Sequence, residues 1–182
     1  GAACPSPPAA SEARGGPARR TAVRGDAGYQ RGGTVAYPPR LNGRAQDSMY
    51  SVTKEVRFCY GHRLLGHSGK CRHLHGHNAR ALIRLESRDL DHLGLVVDFK
   101  EIGDYVKSWI DSEIDHNMLL FREDPLLPLL QEAGERVYPM DENPSAENIA
   151  RLIFQHVERG GFPVVEVILF ETDSAVASYR RA

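Results

Sequence analysis

Two alternating stretches, residues 50–62 and 75–86, flank a twelve-residue loop and restrict this chain more than any other feature in it. In the first, Tyr50, Val52, Val56, Phe58 and Tyr60 share one face, with Lys54 as the exception, and Ser51, Thr53, Glu55 and Arg57 share the other. In the second, Ala79, Ala81, Ile83 and Leu85 alternate with Asn78, Arg80, Arg84 and Glu86. A period of two is that of a strand covered on one face. The connection holds Gly66, Ser68 and Gly69 and reads as a loop, so the two strands pair as an antiparallel hairpin. His62 continues the apolar face of the first strand, and His75 and His77 continue that of the second. The hairpin therefore gathers three imidazoles at one end of its covered face.

Three nitrogen ligands with a fourth position open is the arrangement of a catalytic zinc, whereas a structural zinc is closed by four protein ligands. Cys71 stands four residues before His75, and it supports two readings. It is either the fourth ligand of a closed site or a reactive thiol beside an open one. Asp115-His116 favours the second. A carboxylate beside an imidazole fixes its orientation and raises its basicity, which suits proton transfer near neutral pH. A thiol near a metal and such a histidine has its pKa lowered from about 8.5 and serves as a proton acceptor. Glu171 is in phase with Val165, Val167 and Leu169 on the covered face of a later strand. A carboxylate there is costly unless it is paired or binds a ligand, so it is either salt-bridged to an arginine or functional. Cys59 is given no role, and His67, His73, His92 and His156 read as surface groups or as neighbours of the ligands.

From Phe99 the period changes. Phe99, Ile102, Val106, Trp109 and Ile110 recur at helical spacing. Residues 113–121 read as irregular, and Pro125 opens a short helix running to about Ala133. Asn143-Pro144-Ser145-Ala146-Glu147 is a helix start, capped by Asn143 or Ser145, with Glu147 placing negative charge in the first turn. Ile149, Leu152, Ile153 and Val157 line that helix to Gly160. Residues 164–172 and 175–180 form two last strands around a turn near Asp173, and there is room for a short strand near 136–140. The order predicts an α+β domain, a four-stranded antiparallel sheet with two main helices on one face. Such a sheet has two open edges, and closure with sister subunits answers both, so a homo-oligomer is expected.

Residues 1–48 are rich in Gly, Ala, Pro and Arg, with seven Arg, no Lys and three acids. The remainder, 49–182, carries 16 basic and 21 acidic residues and all eight histidines. The first segment is expected to be a disordered N-terminal extension and the second a single domain. A mildly acidic domain argues against a nucleic-acid surface. No stretch reaches the roughly 18 apolar residues of a membrane span, and no secretion-signal core stands at the N-terminus. Three cysteines, Cys4, Cys59 and Cys71, make no disulfide framework, so a cytoplasmic setting is expected.

Phe58–Leu64, Cys71–Asn78, Gly94–Phe99, Asp115-His116, Asn143–Asn148 and Glu171-Thr172 together resemble the 6-pyruvoyltetrahydropterin synthase / 6-carboxytetrahydropterin synthase family, from Met49 to about Arg180. The resemblance implies one zinc per subunit on His62, His75 and His77, and a catalytic triad of Cys71, Asp115 and His116. It implies a pterin pocket in which Glu171 anchors the ring, with Thr172 beside it and Ser145, Ala146 and Glu147 along the wall. The implied architecture is the tunnelling fold, whose subunit sheets close into a barrel, as a hexamer or tetramer, with active sites between subunits. The Cys-x3-His-Gly-His spacing is that of the carboxy branch. It implies conversion of 7,8-dihydroneopterin triphosphate to 6-carboxy-5,6,7,8-tetrahydropterin with loss of acetaldehyde and triphosphate, a step of queuosine synthesis. The alternatives are the pyruvoyl product of the same substrate and a non-catalytic, zinc-stabilised pterin-binding or assembly protein. Cys59-Tyr60-Gly61, in place of small residues, and a long 121–141 connection depart from the family pattern.

Overall fold

In a computed structural model the chain divides into two units, Gly1–Gln46 and Asp47–Ala182. The structure describes residues 48–181; the segment expected to be a disordered extension lies outside the described residues except for its last position. Strands β1 (Tyr50–His62) and β2 (His75–Ser87) form the predicted antiparallel hairpin, in register from Tyr50↔Ser87 to His62↔His75. Helix α1 (Phe99–Glu113) follows, then β3 (Asn117–Phe121), the short α2 (Leu126–Glu132), β4 (Val137–Met140), α3 (Ala146–Arg159), β5 (Val164–Phe170) and β6 (Val176–Arg180). The sheet has the order β4-β3-β1-β2-β5-β6.

The α+β class stands, but the sheet differs from the expected four antiparallel strands. It has six strands and is mixed, because β3 runs parallel to both β1 and β4. Residues 113–121 are therefore not all irregular. Met118-Leu119-Leu120-Phe121 is a short continuous apolar run with no alternation, the pattern of a strand covered on both faces. Leu119 and Leu120 are completely buried. The long connection to Asn143 forms a strand–helix–strand unit that widens the sheet beyond β1.

Packing follows the alternation. Val56, Phe58 and Tyr60 of β1, Ala79, Ala81, Ile83 and Leu85 of β2, and Val167 and Leu169 of β5 are buried in one cluster. They pack against Ile102, Val106 and Ile110 of α1 and Ile149, Ile153, Phe154 and Val157 of α3. Burying each such side chain contributes about 1.5–3 kcal/mol. Lys54, the exception in β1, is explained by Gly103: a Cβ there would meet Lys54 Cε at 2.9 Å. The glycine leaves room on α1 for the lysine stem to lie along the helix. The other face of the sheet carries charge, with Glu55 paired to Arg57 and Arg80 and Arg84 paired to Glu86 and Glu166. Asp98 caps α1 through Lys100 N–H, and Ser145 caps α3 through Asn148 N–H. Among the described residues no helix is long and apolar enough to cross a membrane.

Candidate metal centre and its cavity

The hairpin register sets His62 opposite His75 and Tyr60 opposite His77. The glycines between them make this approach possible. Gly61 faces Gly76, and a Cβ on Gly76 would stand 2.8 Å from the Tyr60 carbonyl oxygen. The three rings converge, with centroids 4.4 to 5.1 Å apart. One ligand nitrogen from each lies within 4.8 Å of the others, close enough for small rotations to give bonds of about 2.0–2.1 Å to one zinc-sized ion.

Backbone carbonyls choose which nitrogens are offered. His62 Nδ1 donates to the Pro144 carbonyl at 2.7 Å, and His75 Nδ1 donates to the His73 carbonyl at 2.8 Å. A nitrogen facing a carbonyl must carry the proton, so Nε2 of each ring keeps its lone pair. His62 Nε2 and His77 Nε2 are buried with no hydrogen-bond partner. A buried polar atom left bare is costly, and a cation satisfies both at once. Burial pushes His62 below its ordinary value, against the opposing pull of the Pro144 carbonyl. Burial lowers His77 as well, against Glu171. Both rings are thus held in the neutral form a metal requires. The donor set fits a metal ion.

The cluster opens into a cavity of about 270 Å³ whose wall includes Cys71, Ser145, Ala146, Glu147 and Glu171. The Cys71 loop is tied down at both ends. Leu64 N–H donates to the Cys71 carbonyl at 2.8 Å. Asn143 accepts from Leu65 N–H at 2.7 Å and donates to the Leu65 carbonyl at 2.9 Å. Asn143 is thus a clamp on this loop, while Ser145 is the helix cap. Glu171 has no arginine partner among the described residues; its contacts are with His62, His77 and the Tyr60 hydroxyl. Thr172 is not in the cavity wall. Its hydroxyl oxygen accepts from Ser174 and Ala175 N–H and closes the turn into β6.

His116 opens onto a second cleft, which shares His75 and His77 with the metal cavity. His116 Nδ1 donates to Asp115 Oδ2 at 2.8 Å, and Asp115 Oδ1 accepts from Cys59 N–H at 2.7 Å. His116 sits in the left-handed region at φ 57°, an uncommon backbone state for a non-glycine residue that recurs at functional sites. Its imidazole is 61% exposed and lines a cleft of about 540 Å³ with Asn78, Asn117, Glu135 and Arg136. Cys71 lines the metal cavity and not this cleft. Within one chain the three residues of the expected triad do not share a cavity.

Three features of the site have no such role in the sequence reading: Tyr60, there only a covered-face residue, Asn143, there only a candidate cap, and the Arg63–Asp124 pair. Tyr60 could have been found, since it is in phase with His62. Arg63 Nε donates to Asp124 Oδ2 at 2.7 Å, its terminal nitrogen reaches Oδ1, and the Asp124 side chain is fully buried. Burial alone would raise the Asp124 pKa, but Arg63 and the Leu126 N–H hold it below its ordinary value. The pair pins the residue after His62 to the start of α2. His156 is not a simple surface group either. Its ring stacks on Trp109 at 4.2 Å and on Tyr105 at 4.6 Å, between α1 and α3.

Residues 51–182 match the family described as 6-pyruvoyl tetrahydropterin synthase, and the chain belongs to that family. Among its curated relatives is the 6-carboxy-5,6,7,8-tetrahydropterin synthase of Rickettsia bellii, 37% identical over 131 residues, which cover 68% of this chain and 95% of that protein. The protein of the same name from Haemophilus influenzae is 30% identical over 141 residues, 72% of this chain and 99% of that one. A solved structure of an uncharacterized protein from Wolinella succinogenes superposes with a TM-score of 0.61 at 26% identity, over 74% of this chain and 99% of that one. The 6-pyruvoyl tetrahydropterin synthase of Caenorhabditis elegans, at TM-score 0.56 and 18% identity over 74% of this chain and 97% of that one, shares the fold.

Proposed function

We propose that this chain is a zinc-dependent lyase that converts 7,8-dihydroneopterin triphosphate to 6-carboxy-5,6,7,8-tetrahydropterin, releasing acetaldehyde and triphosphate. The observation that carries the reading is the convergence of three imidazoles, two with bare buried Nε2 atoms, on a cavity that also holds Cys71 and Glu171. The carboxy name of its relatives and the Cys-x3-His-Gly-His spacing favour this product over the pyruvoyl one.

His62, His75 and His77 would hold the zinc, which supplies Lewis acidity toward oxygens of the substrate side chain. Glu171 would accept hydrogen bonds from the pterin 2-amino group and an adjacent ring N–H, fixing the ring against the wall made by Ser145, Ala146 and Glu147. The Cys71 thiolate would move a proton at the side-chain carbon next to the ring. His116 Nε2, presented to solvent because Nδ1 is committed to Asp115, would move protons at the side-chain oxygens. Thr172 would serve indirectly, by holding the turn after Glu171.

The metal cavity, at about 270 Å³, falls below the roughly 300–1,000 Å³ typical of small-molecule sites. The His116 cleft shares His75 and His77 with it but not Cys71. Both facts favour an active site completed between subunits of a homo-oligomer, hexameric or tetrameric. Free edges are available for assembly. Among the described residues β3 pairs with β1 only at Tyr60–His62, which leaves the rest of that edge open, whereas Pro139 removes a donor from the β4 edge. A cytoplasmic setting and a domain spanning 49–182 complete the proposal.

The test is incubation of the zinc-loaded protein with 7,8-dihydroneopterin triphosphate, with products followed by mass spectrometry. Acetaldehyde together with a carboxylated tetrahydropterin is the expected result. A pyruvoyl product would move the chain to the other branch of its family, and an intact substrate would remove the catalytic reading.

A further inference from the structure

Glu171 lies against two of the three imidazoles as well as in the wall of the cavity. Its Oε1 lies 3.5 Å from His62 Nε2 and 3.6 Å from His77 Nε2. These distances exceed the roughly 2.7–2.9 Å of a charge-assisted N–H···O bond, and neither Nε2 has a hydrogen-bond partner. With the His62 proton on Nδ1, its Nε2 lone pair faces a carboxylate oxygen, an arrangement that repels unless a positive charge lies between them. Ligands bonded at about 2.0–2.1 Å to one tetrahedral ion stand about 3.4 Å apart. The observed separations are those of neighbouring ligands of a shared ion rather than of a direct pair.

A second observation points the same way. Tyr60, 2% exposed and in register with His77, donates its hydroxyl to the same Glu171 Oε1 at 3.1 Å. That bond turns the carboxylate toward the imidazoles. Hydrogen-bonding partners of this kind hold metal-ligating side chains in place.

We infer that Glu171, held by Tyr60, is the fourth protein ligand of the substrate-free metal centre. The inference rests on the reading of His62, His75 and His77 as a metal site. It makes the open position on the metal conditional, because the carboxylate that is to hold the pterin ring must first leave the ion.

The experiment loads wild-type, Glu171→Gln and Tyr60→Phe proteins with Co2+ alone, without any pterin, and reads the visible d–d absorption and the Co2+ dissociation constant. Glu171→Gln is expected to shift the bands and to weaken Co2+ binding at least about 10-fold, the low end of what loss of even an outer partner produces. Tyr60→Phe is expected to move both in the same direction by less, and it decides the matter should the Glu171 variant not fold. Spectra and affinities unchanged from wild type overturn the inference and leave the three-histidine site standing. A wild-type protein that takes up no Co2+ overturns both.

Discussion

The histidine end of the hairpin and the Asp115-His116 corner are both built around imidazoles, but they are held in different ways. His62, 2% exposed, is fixed by two paired strands, and the Pro144 carbonyl sets its tautomer. His116 is 61% exposed and is oriented by one carboxylate at a left-handed turn after α1. The first arrangement is finished within the chain. The second presents its free ring nitrogen to an open cleft that reaches His75 and His77 but not Cys71. A converging, pre-oriented cluster suits metal binding, and an exposed, carboxylate-backed imidazole suits proton transfer to something brought from elsewhere.

The largest effects should separate the two regions by their metal content. Cys71→Ala and His116→Ala are each expected to lower turnover by about 10²–10⁴-fold, the usual contribution of a positioned proton-transfer group, with bound metal unchanged. His75→Ala should abolish stoichiometric metal binding. Metal analysis beside the turnover assay checks this, and a His116→Ala protein that loses its metal would erase the distinction.

The next effect tests what holds the histidine end in place. Asp124→Ala leaves Arg63 without its partner and should destabilise the fold by about 3–5 kcal/mol, as breaking a buried pair does, measured by urea unfolding. The pair also carries a pH signature. The Asp124 pKa is held below its ordinary 3.8, so its stabilisation is present above that value and is lost as pH falls through the depressed one. Gly76→Ala should cost about 1–3 kcal/mol, because its Cβ would meet the Tyr60 carbonyl oxygen at 2.8 Å. A neutral result at Gly76 would mean that the strands separate freely at the metal end.

The mildest effect is a pH dependence of the metal-free protein. Burial lowers His62, His77 and His156 below their ordinary 6.5. The unfolded chain then binds more protons than the folded one as pH falls below about 6.5, so stability declines from there down through the lowered folded values. Melting curves of the chelated protein at pH 7.5 and 5.5 should show the lower midpoint at pH 5.5. Equal midpoints would contradict the buried, neutral histidines.

Much of the histidine end was legible in the sequence because it is local. A period of two placed Tyr60, His62, His75 and His77 on the covered face, and a hairpin requires no distant partner. Helices α1 and α3 were legible from their apolar spacing, and Ser145 as one of two candidate caps. What escaped depends on contacts far apart in the chain. Strand β3 escaped because Met118–Phe121 has no alternation to betray it, and its parallel pairing with β4, a strand for which the sequence left room near 136–140, runs across an intervening helix. Arg63 meets Asp124 across 61 positions, and Asn143 clamps Leu65 across 78. The resemblance puts Thr172 beside Glu171 in the pocket, and the structure adds that its hydroxyl closes the turn into β6. Nothing in the sequence showed that Cys71 and His116 would face different cavities, since that depends on which side of the hairpin end each loop leaves.

The central claim is that these two regions act together across chains, and mixed assemblies test it most directly. Cys71→Ala and His116→Ala chains carrying different tags are co-expressed, and assemblies holding both are purified and supplied with zinc and 7,8-dihydroneopterin triphosphate. The prediction is that mixed assemblies release acetaldehyde although each parent variant is nearly inactive, because an intact Cys71 cavity of one chain meets an intact His116 of another. Mixed assemblies as inactive as their parents, with both chains confirmed present and metal bound, would contradict it.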